Sequence, residues 1–348
     1  MKTIKAFAAK TANAPLVPFE ITRRDAGPND IQIKIDYCGI CHSDLHQVAD
    51  DWGGSIYPMV PGHEIIGRIV NVGKKVKKFK IGDSVGVGCF VDSCRKCVSC
   101  KQGLQQYCTE GFVGTYNSYE KDRVTVTYGG YSSEIVVDQN YVLKIPKNLN
   151  MAGAAPLLCA GITTYSPLCH WKIKKGKKVG VIGLGGLGHM GIKLARKMGA
   201  EVSLFTTSES KAKDAKRLGA RRVILSKDKN QMDAFKNEFD LILDTVSGPH
   251  DLNPYITTLK RDGTLVLLGL PEKNPEIEAF NLVLGRRSVA GSLIGGIRET
   301  QEMLNFCGKH KITSDVEVIK PDKINQAYER LKLSDVKYRF VIDLRDRL

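Results

Sequence analysis

An α/β fold in two differently built parts is what this sequence predicts, and three observations carry the prediction. Over residues 1–150, apolar and polar residues alternate in short runs bounded by glycines, as in half-buried strands. From there to about 296, strand-like and helix-like segments take turns at the spacing of parallel βαβ units, which makes a doubly wound parallel sheet. Beyond 297 that alternation stops, so the tail can rejoin the first part. The expected division is 1–153 with 297–348, and 154–296.

Each element has its own signal. Ile31 to Tyr37 alternates strictly. Gly62 to Val72 and Ser84 to Cys89 read as strands. Thr125 to Val137 reads as strand, Gly129-Gly130 turn, strand. In the second part the strands are Lys178 to Ile182, Glu201 to Thr206, Arg222 to Leu225, Leu241 to Leu243 and Thr264 to Leu268. Helical spacing appears over His189 to Met198 and Lys211 to Leu218. The tail holds a helix, Arg298 to Gly308, and a strand, Tyr338 to Ile342.

The bulk numbers bound the function. The chain has 348 residues, enough for two domains, and 42% of them are hydrophobic, enough for a sizeable core. Net charge is +15. The densest basic run, Lys74 to Lys80, lacks the interleaved aromatics of a base-stacking surface and reads as a solvated turn, so no nucleic-acid partner is expected. Lys5 interrupts what would be the apolar core of a secretory signal, and the most apolar stretch, Met151 to Leu168, contains Pro156 and Pro167. A cytoplasmic protein without a membrane partner is expected.

Gly183-Leu184-Gly185-Gly186-Leu187-Gly188 follows a strand and opens a helix. The first glycine permits the tight turn, the second a close approach of the pyrophosphate, and the third close helix–strand packing. The helix N-terminus then offers free N–H groups to phosphates. The end of the next strand chooses the cofactor. An Asp or Glu there accepts from the ribose 2′-OH of NAD. Here Thr206, Thr207 and Ser208 are followed by Glu209 and Lys211, and hydroxyls beside a cation suit the 2′-phosphate of NADP(H). Ser208 is also placed to cap the following helix.

Ten cysteines in a long chain point to metal rather than to a disulfide scaffold. Cys94, Cys97, Cys100 and Cys108 can wrap one Zn²⁺ tetrahedrally in a closed, structural site. Bacterial ferredoxins place the fourth cysteine sooner and follow it with Pro, where this chain has Thr109. Cys41, His63 and Cys159 are candidate ligands of a second zinc with an open position. Their spacing alone does not join them.

Gly62-His63-Glu64-x2-Gly67-x5-Gly73-x2-Val76 resembles the signature of the zinc-containing alcohol dehydrogenases, among the medium-chain dehydrogenases. Cys41 to His46, Gly183 to Gly188 and Ser292 to Gly295 resemble the cinnamyl alcohol dehydrogenase branch, and the likeness runs to Phe340. The resemblance implies a GroES-like catalytic domain, carrying the cysteine lobe at 89–113, split around a Rossmann domain. It implies a homodimer, two zinc ions per chain, NADP(H), and an alcohol or aldehyde as substrate. It makes Cys41, His63 and Cys159 catalytic zinc ligands, with Glu64 an occasional fourth. Ser43 becomes the hydroxyl that bonds the substrate oxygen, and His46 and Asp51 become outer members of the proton path. Thr163, Thr245, Gly269, Ser292, Leu293 and Ile294 lie near the cofactor. Trp52, Val113, Tyr116 and Leu293 line the substrate pocket.

The expected chemistry is hydride transfer between NADP(H) and primary alcohols or aldehydes. Val113 stands where branch members acting on bulky lignin precursors carry a large aromatic, so a broad range of aromatic and aliphatic aldehydes is expected. An NAD-dependent polyol or secondary alcohol dehydrogenase is the nearest alternative. A zinc-binding nucleic-acid module is a distant one, because no recognition helix stands beside the cysteines.

Overall fold

The computed structural model describes residues 1–271 and 273–345. These form two compact units, Met1–Ile162 with Gly295–Leu348, and Thr163–Ile294.

The first unit is built on a seven-stranded sheet. Strand Asp30–Ile40 sits inside it, antiparallel to Ile65–Val72, to Glu134–Asp138 and to Arg339–Asp343. Ser84–Val87 and Leu143–Lys144 extend one side, and Val316–Ile319 the other. The tail therefore contributes two strands to this sheet. Ile31, Ile33, Ile35 and Ile40 are fully buried, so the alternation seen in the sequence does mark a core-facing row.

Three expected strands end differently. The run from Gly62 becomes a strand only at Ile65, because Gly62 takes a φ of +105° and residues 62–64 form a loop. The run from Ser84 breaks after Val87 and a new strand starts at Phe90. Between Thr125 and Val137 only Glu134–Asp138 is a strand, and Gly129-Gly130 is no hairpin turn. Its N–H groups donate instead to Val60 O and Gly62 O, at 2.7 and 2.8 Å. A side chain at Gly129 would overlap the Pro61 backbone, so these glycines serve a close approach of two loops.

The second unit is a six-stranded parallel sheet. Its order is Arg222–Leu225, Glu201–Thr206, Lys178–Ile182, Phe239–Asp244, Leu259–Leu267, Ser288–Gly291. Chain order reverses between Lys178–Ile182 and Phe239–Asp244, and ligands of such sheets bind outside the carboxyl ends at that reversal. Phe205 anchors the core, edge-on to Phe239 and Tyr255 at 5.2 Å from each. Helix Gly188–Lys197 starts where the glycine run ends.

Candidate active site and metal centres

The metal pocket of the first unit begins at a strand end. Strand Asp30–Ile40 stops at Cys41, and helix His42–Ala49 starts there because Asp44 reaches back to accept the Cys41 N–H at 2.9 Å. The same carboxylate accepts from Gly62 N at 3.2 Å and from the Tyr131 hydroxyl at 3.3 Å, and it meets His63 Nδ1 at 3.1 Å. Asp44 is fully buried. It fixes the His63 ring and leaves Nε2 for the thiols, the usual arrangement behind a metal-binding histidine. Gly62 is required here, since a side chain would lie 2.7 Å from Cys38 Sγ and from Tyr131.

Cys159 arrives from the other end of the unit, between a short 3₁₀ turn, Ala155–Leu158, and helix Ala160–His170. Its sulfur lies 3.9 Å from that of Cys41. One donor atom from each of Cys41, His63, Glu64 and Cys159 falls within 4.8 Å of all the others, and all four residues are buried. Two sulfurs each about 2.3 Å from one zinc, at a tetrahedral angle, sit about 3.8 Å apart. The pocket thus has the donor chemistry and the spacing that zinc requires.

Burial and close charges shift all four donors. Contact with the Cys159 sulfur draws the Cys41 thiol well below its usual range despite burial, with help from Arg339 and His63. Cys159 is pushed up in turn by the Cys41 and Cys89 sulfurs and by burial. Burial works against charge on His63, but Asp44 outweighs it and raises the ring's pKa. Burial lifts the Glu64 carboxyl to about 7, opposed by Arg339. Arg339, from the tail strand, is itself only 3% exposed and is ion-paired with Glu64. Gly39 makes the room: any side chain there would overlap the Glu64 carboxylate.

Ser43 Oγ is 3.7 Å from the Cys41 sulfur. Further along the same helix, His46 Nδ1 meets Asp51 Oδ2 at 2.7 Å and its ring stacks on Trp52 at 5.1 Å. Trp52 is 44% exposed, which excludes plain core packing. Tyr116 is buried and its ring stacks on His63 at 5.9 Å, while Val113 lies in a two-residue strand of the cysteine lobe. Leu293 is a half-exposed residue of the second unit.

In the lobe, the sulfurs of Cys94, Cys97, Cys100 and Cys108 all lie within 4.8 Å of one another, and Cys94 and Cys100 are 3.8 Å apart. Backbone N–H groups point at sulfur, among them Cys97 to Cys94, Cys100 to Cys97 and Cys94 to Cys108, at 3.3 to 3.4 Å. Bonds from Cys100 N–H and Thr109 N–H bring Cys97 down to about 6, a thiolate near neutrality. Burial holds Cys100 up at about 11. This closed set of four fits a structural zinc.

The cofactor candidates of the second unit gather at the carboxyl ends of its strands. Gly183 takes a φ of +86°, and a side chain on it would lie 2.7 Å from Val246. A side chain on Gly188 would overlap the Gly183 carbonyl, whereas Gly185 faces open space, the cradle a pyrophosphate needs. Buried His189 braces the loop, its Nδ1 3.1 Å from Gly185 O. Thr245 donates to Ile182 O at 2.7 Å, Gly269 packs on the Val246 backbone, and Ser292 N–H reaches Leu267 O at 3.2 Å. Ile294 holds a positive φ of 35°, and Thr163 is buried in helix Ala160–His170. The strand ends at Thr206, so Glu209 falls in the next turn, Glu209–Lys211, and no carboxylate occupies the strand end. Ser208 does not cap with its side chain as expected. Its hydroxyl pairs with Ser210 at 2.7 Å, and its N–H is taken by Thr206 Oγ1 at 3.2 Å.

Asp44 and Arg339 carry no role in the sequence reading, although both lie inside the motifs that marked the family. An aspartate three residues after the Cys41 that precedes a helix, and an arginine opening the short strand Arg339–Asp343, are the signals the sequence offers for them.

Comparison with known proteins agrees with this geometry. Residues 27–147 match the alcohol dehydrogenase GroES-like domain, and residues 186–309 the zinc-binding dehydrogenase family. The chain is 58% identical to aldehyde reductase YahK of Escherichia coli, over 98% of both proteins. It is 56% identical to NADP-dependent alcohol dehydrogenase C 1 of Mycolicibacterium smegmatis, over 99% of this chain and 98% of that one. Among solved structures, a cinnamyl alcohol dehydrogenase from Sorghum bicolor superposes with a TM-score of 0.97 at 44% identity, covering 100% of this chain and 99% of that one. That of Helicobacter pylori, complexed with NADP(H), gives 0.93 at 46% identity, over 99% of both. The chain belongs to the zinc-dependent medium-chain alcohol dehydrogenases, in their cinnamyl alcohol dehydrogenase branch.

Proposed function

We propose that this chain reduces aldehydes, and oxidises the corresponding primary alcohols, with NADP(H), at a zinc held by Cys41, His63 and Cys159. The observation that carries the reading is the buried set of two thiols, an imidazole and a carboxylate around one point. Zinc there supplies Lewis acidity to the substrate oxygen, and the nicotinamide supplies or accepts hydride. The two thiolates temper the ion's charge, so a product can leave. Asp44 keeps His63 in the tautomer that can bind. Arg339 pairs with the Glu64 carboxylate and would compete with a bound ion for it, so that substrate oxygen could be held in its place. Ser43 hydrogen-bonds the substrate oxygen and passes its proton outward. Asp51 sets the tautomer of His46, which hands that proton to water.

Thr206, Thr207, Ser208 and Lys211 support NADP(H) over NAD(H), as do relatives named NADP-dependent and one solved with NADP(H). Val113 and the exposed Trp52 support a broad aldehyde range, aromatic and aliphatic. The test is zinc content by elemental analysis together with the ratio of kcat/KM for NADPH and NADH. Two ions per chain and a ratio of at least about 10² are expected, below the roughly 10⁴–10⁵ by which a site built to hydrogen-bond a group rejects an analogue lacking it. One ion in active protein removes one of the two metal sites, and a preference for NADH removes the 2′-phosphate assignment.

A homodimer fits the second unit. Strand Ser288–Gly291 closes its sheet with a partner on one side only, and the neighbouring helix leaves Phe280 and Val283 76% and 74% exposed. An open edge beside apolar side chains suits a second copy of this chain. Sedimentation at micromolar concentration is expected to show a dimer, and a monomer there overturns this. No helix among the described residues is long and apolar enough to cross a membrane, and a cytoplasmic site of action is the reading we favour.

A further inference from the structure

Cys89 belongs to neither metal set and to no step of hydride transfer, yet it stands beside a catalytic ligand. Strand Ser84–Val87 breaks at Gly88, where a side chain would lie 3.2 Å from the Leu158 carbonyl. Two backbones therefore run side by side, and the next residue on each is a cysteine. The Cys89 and Cys159 side chains lie close enough to influence one another, and Cys89 Sγ lies 3.7 Å from Leu158 O. Thr115 clamps the bend, with its N–H on Cys89 O at 3.1 Å and its hydroxyl on Gly88 O at 2.5 Å. Cys89 is partly exposed, whereas Cys41 and Cys159 are 8% and 7% exposed.

We propose that Cys89 is a peroxide-sensitive thiol that forms a disulfide with Cys159, taking away one catalytic ligand and releasing the ion. The proposal rests on Cys159 being a zinc ligand. The Cys89 sulfur attacks one peroxide oxygen, the O–O bond breaks, and a sulfenic acid and one water result. The Cys159 sulfur, a thiolate while it holds the ion, then attacks the sulfenyl sulfur, the S–O bond breaks, and hydroxide leaves. One thiol and one thiolate lose one proton and two electrons, and hydrogen peroxide becomes one water and one hydroxide, which solvent protonates. Cys89 reacts first because it is the more exposed residue and has no metal on its lone pairs. Cys159 resolves it because its backbone runs beside that of Gly88 and Cys89. With an ion bound among them the lobe cysteines make a poorer target, since all four sulfurs then face one another around it.

The test treats the full-length, zinc-loaded protein with hydrogen peroxide. Zinc release is followed with a chromogenic chelator, and disulfides are mapped by tandem mass spectrometry, which separates Cys89 from Cys94. One ion per chain is expected to leave in step with a Cys89–Cys159 cross-link, and dithiothreitol with added zinc is expected to reverse both. Cys89→Ala should slow the release roughly tenfold by removing the reacting thiol, and Cys89→Ser serves the same end if alanine loosens the bend. Release at the wild-type rate in both variants, or a cross-link mapped to Cys41–Cys159 or to the lobe, overturns the proposal. A Cys89–Cys159 cross-link with no loss of zinc leaves the pairing standing and removes Cys159 from the ligand set.

Discussion

Replacing His63 with alanine should lower kcat/KM for aldehyde reduction by at least about 10³-fold, the scale on which losing charge stabilisation of a reacting oxygen acts. His63 is the one imidazole in a set otherwise made of sulfur and carboxylate. Without it, two sulfurs and Glu64 face one another with nothing to hold the ion opposite them. The variant should retain one zinc per chain, because the lobe's four ligands lie between 94 and 108 and share no residue with this pocket. NADPH binding, measured by fluorescence titration, should be unchanged, since the glycine loop and Thr206 belong to the other unit. Near-normal turnover would take His63 out of the ligand set. Loss of both zinc ions would show that the two sites do not fill independently.

Arg339→Met should destabilise the fold by about 3–5 kcal/mol, the usual cost of leaving one member of a buried ion pair alone. Arg339 and Glu64 are 3% and 0% exposed, and Glu64 has no second cation within reach of a salt bridge among the described residues. Methionine fills much of the space but leaves the carboxylate uncompensated. Adding Glu64→Gln should recover a large part of the loss, because the group left behind is then neutral. Urea titrations of the two single variants and the double one close the cycle. Equal loss in the single and double variants would mean that packing, not charge, ties the tail strand to the metal loop.

The glycine run and the cysteine lobe were legible because each is a local pattern. Gly183, Gly185 and Gly188 are set by one turn, and Cys94 to Cys108 by one loop. The alternating strand at Ile31 to Tyr37 was legible for the same reason. Cys41, His63 and Cys159 were not, because the contact between Cys41 and Cys159 spans 118 positions and no short window contains it. Family likeness supplied them. Asp44 and Arg339 escaped even that, since their work is done on other side chains rather than on a ligand. The stretch from Thr125 misled because glycine pairs make both hairpin turns and close approaches, and only the partner loop at Pro61–Gly62 decides between them.

The unequal spans of the two donor sets bear on how the protein would acquire the zinc proposed for them. The lobe needs a loop of only 14 positions to close, from Cys94 to Cys108, whereas the pocket waits for Cys159, 118 positions after Cys41. Closing the longer loop costs about 2 kcal/mol more in chain entropy. It also requires that most of the first sheet exist. A growing chain can therefore capture its first ion soon after Cys108 emerges and its second only after residue 159. Under zinc scarcity, cells would then accumulate folded, half-loaded, inactive enzyme that awaits metal rather than synthesis.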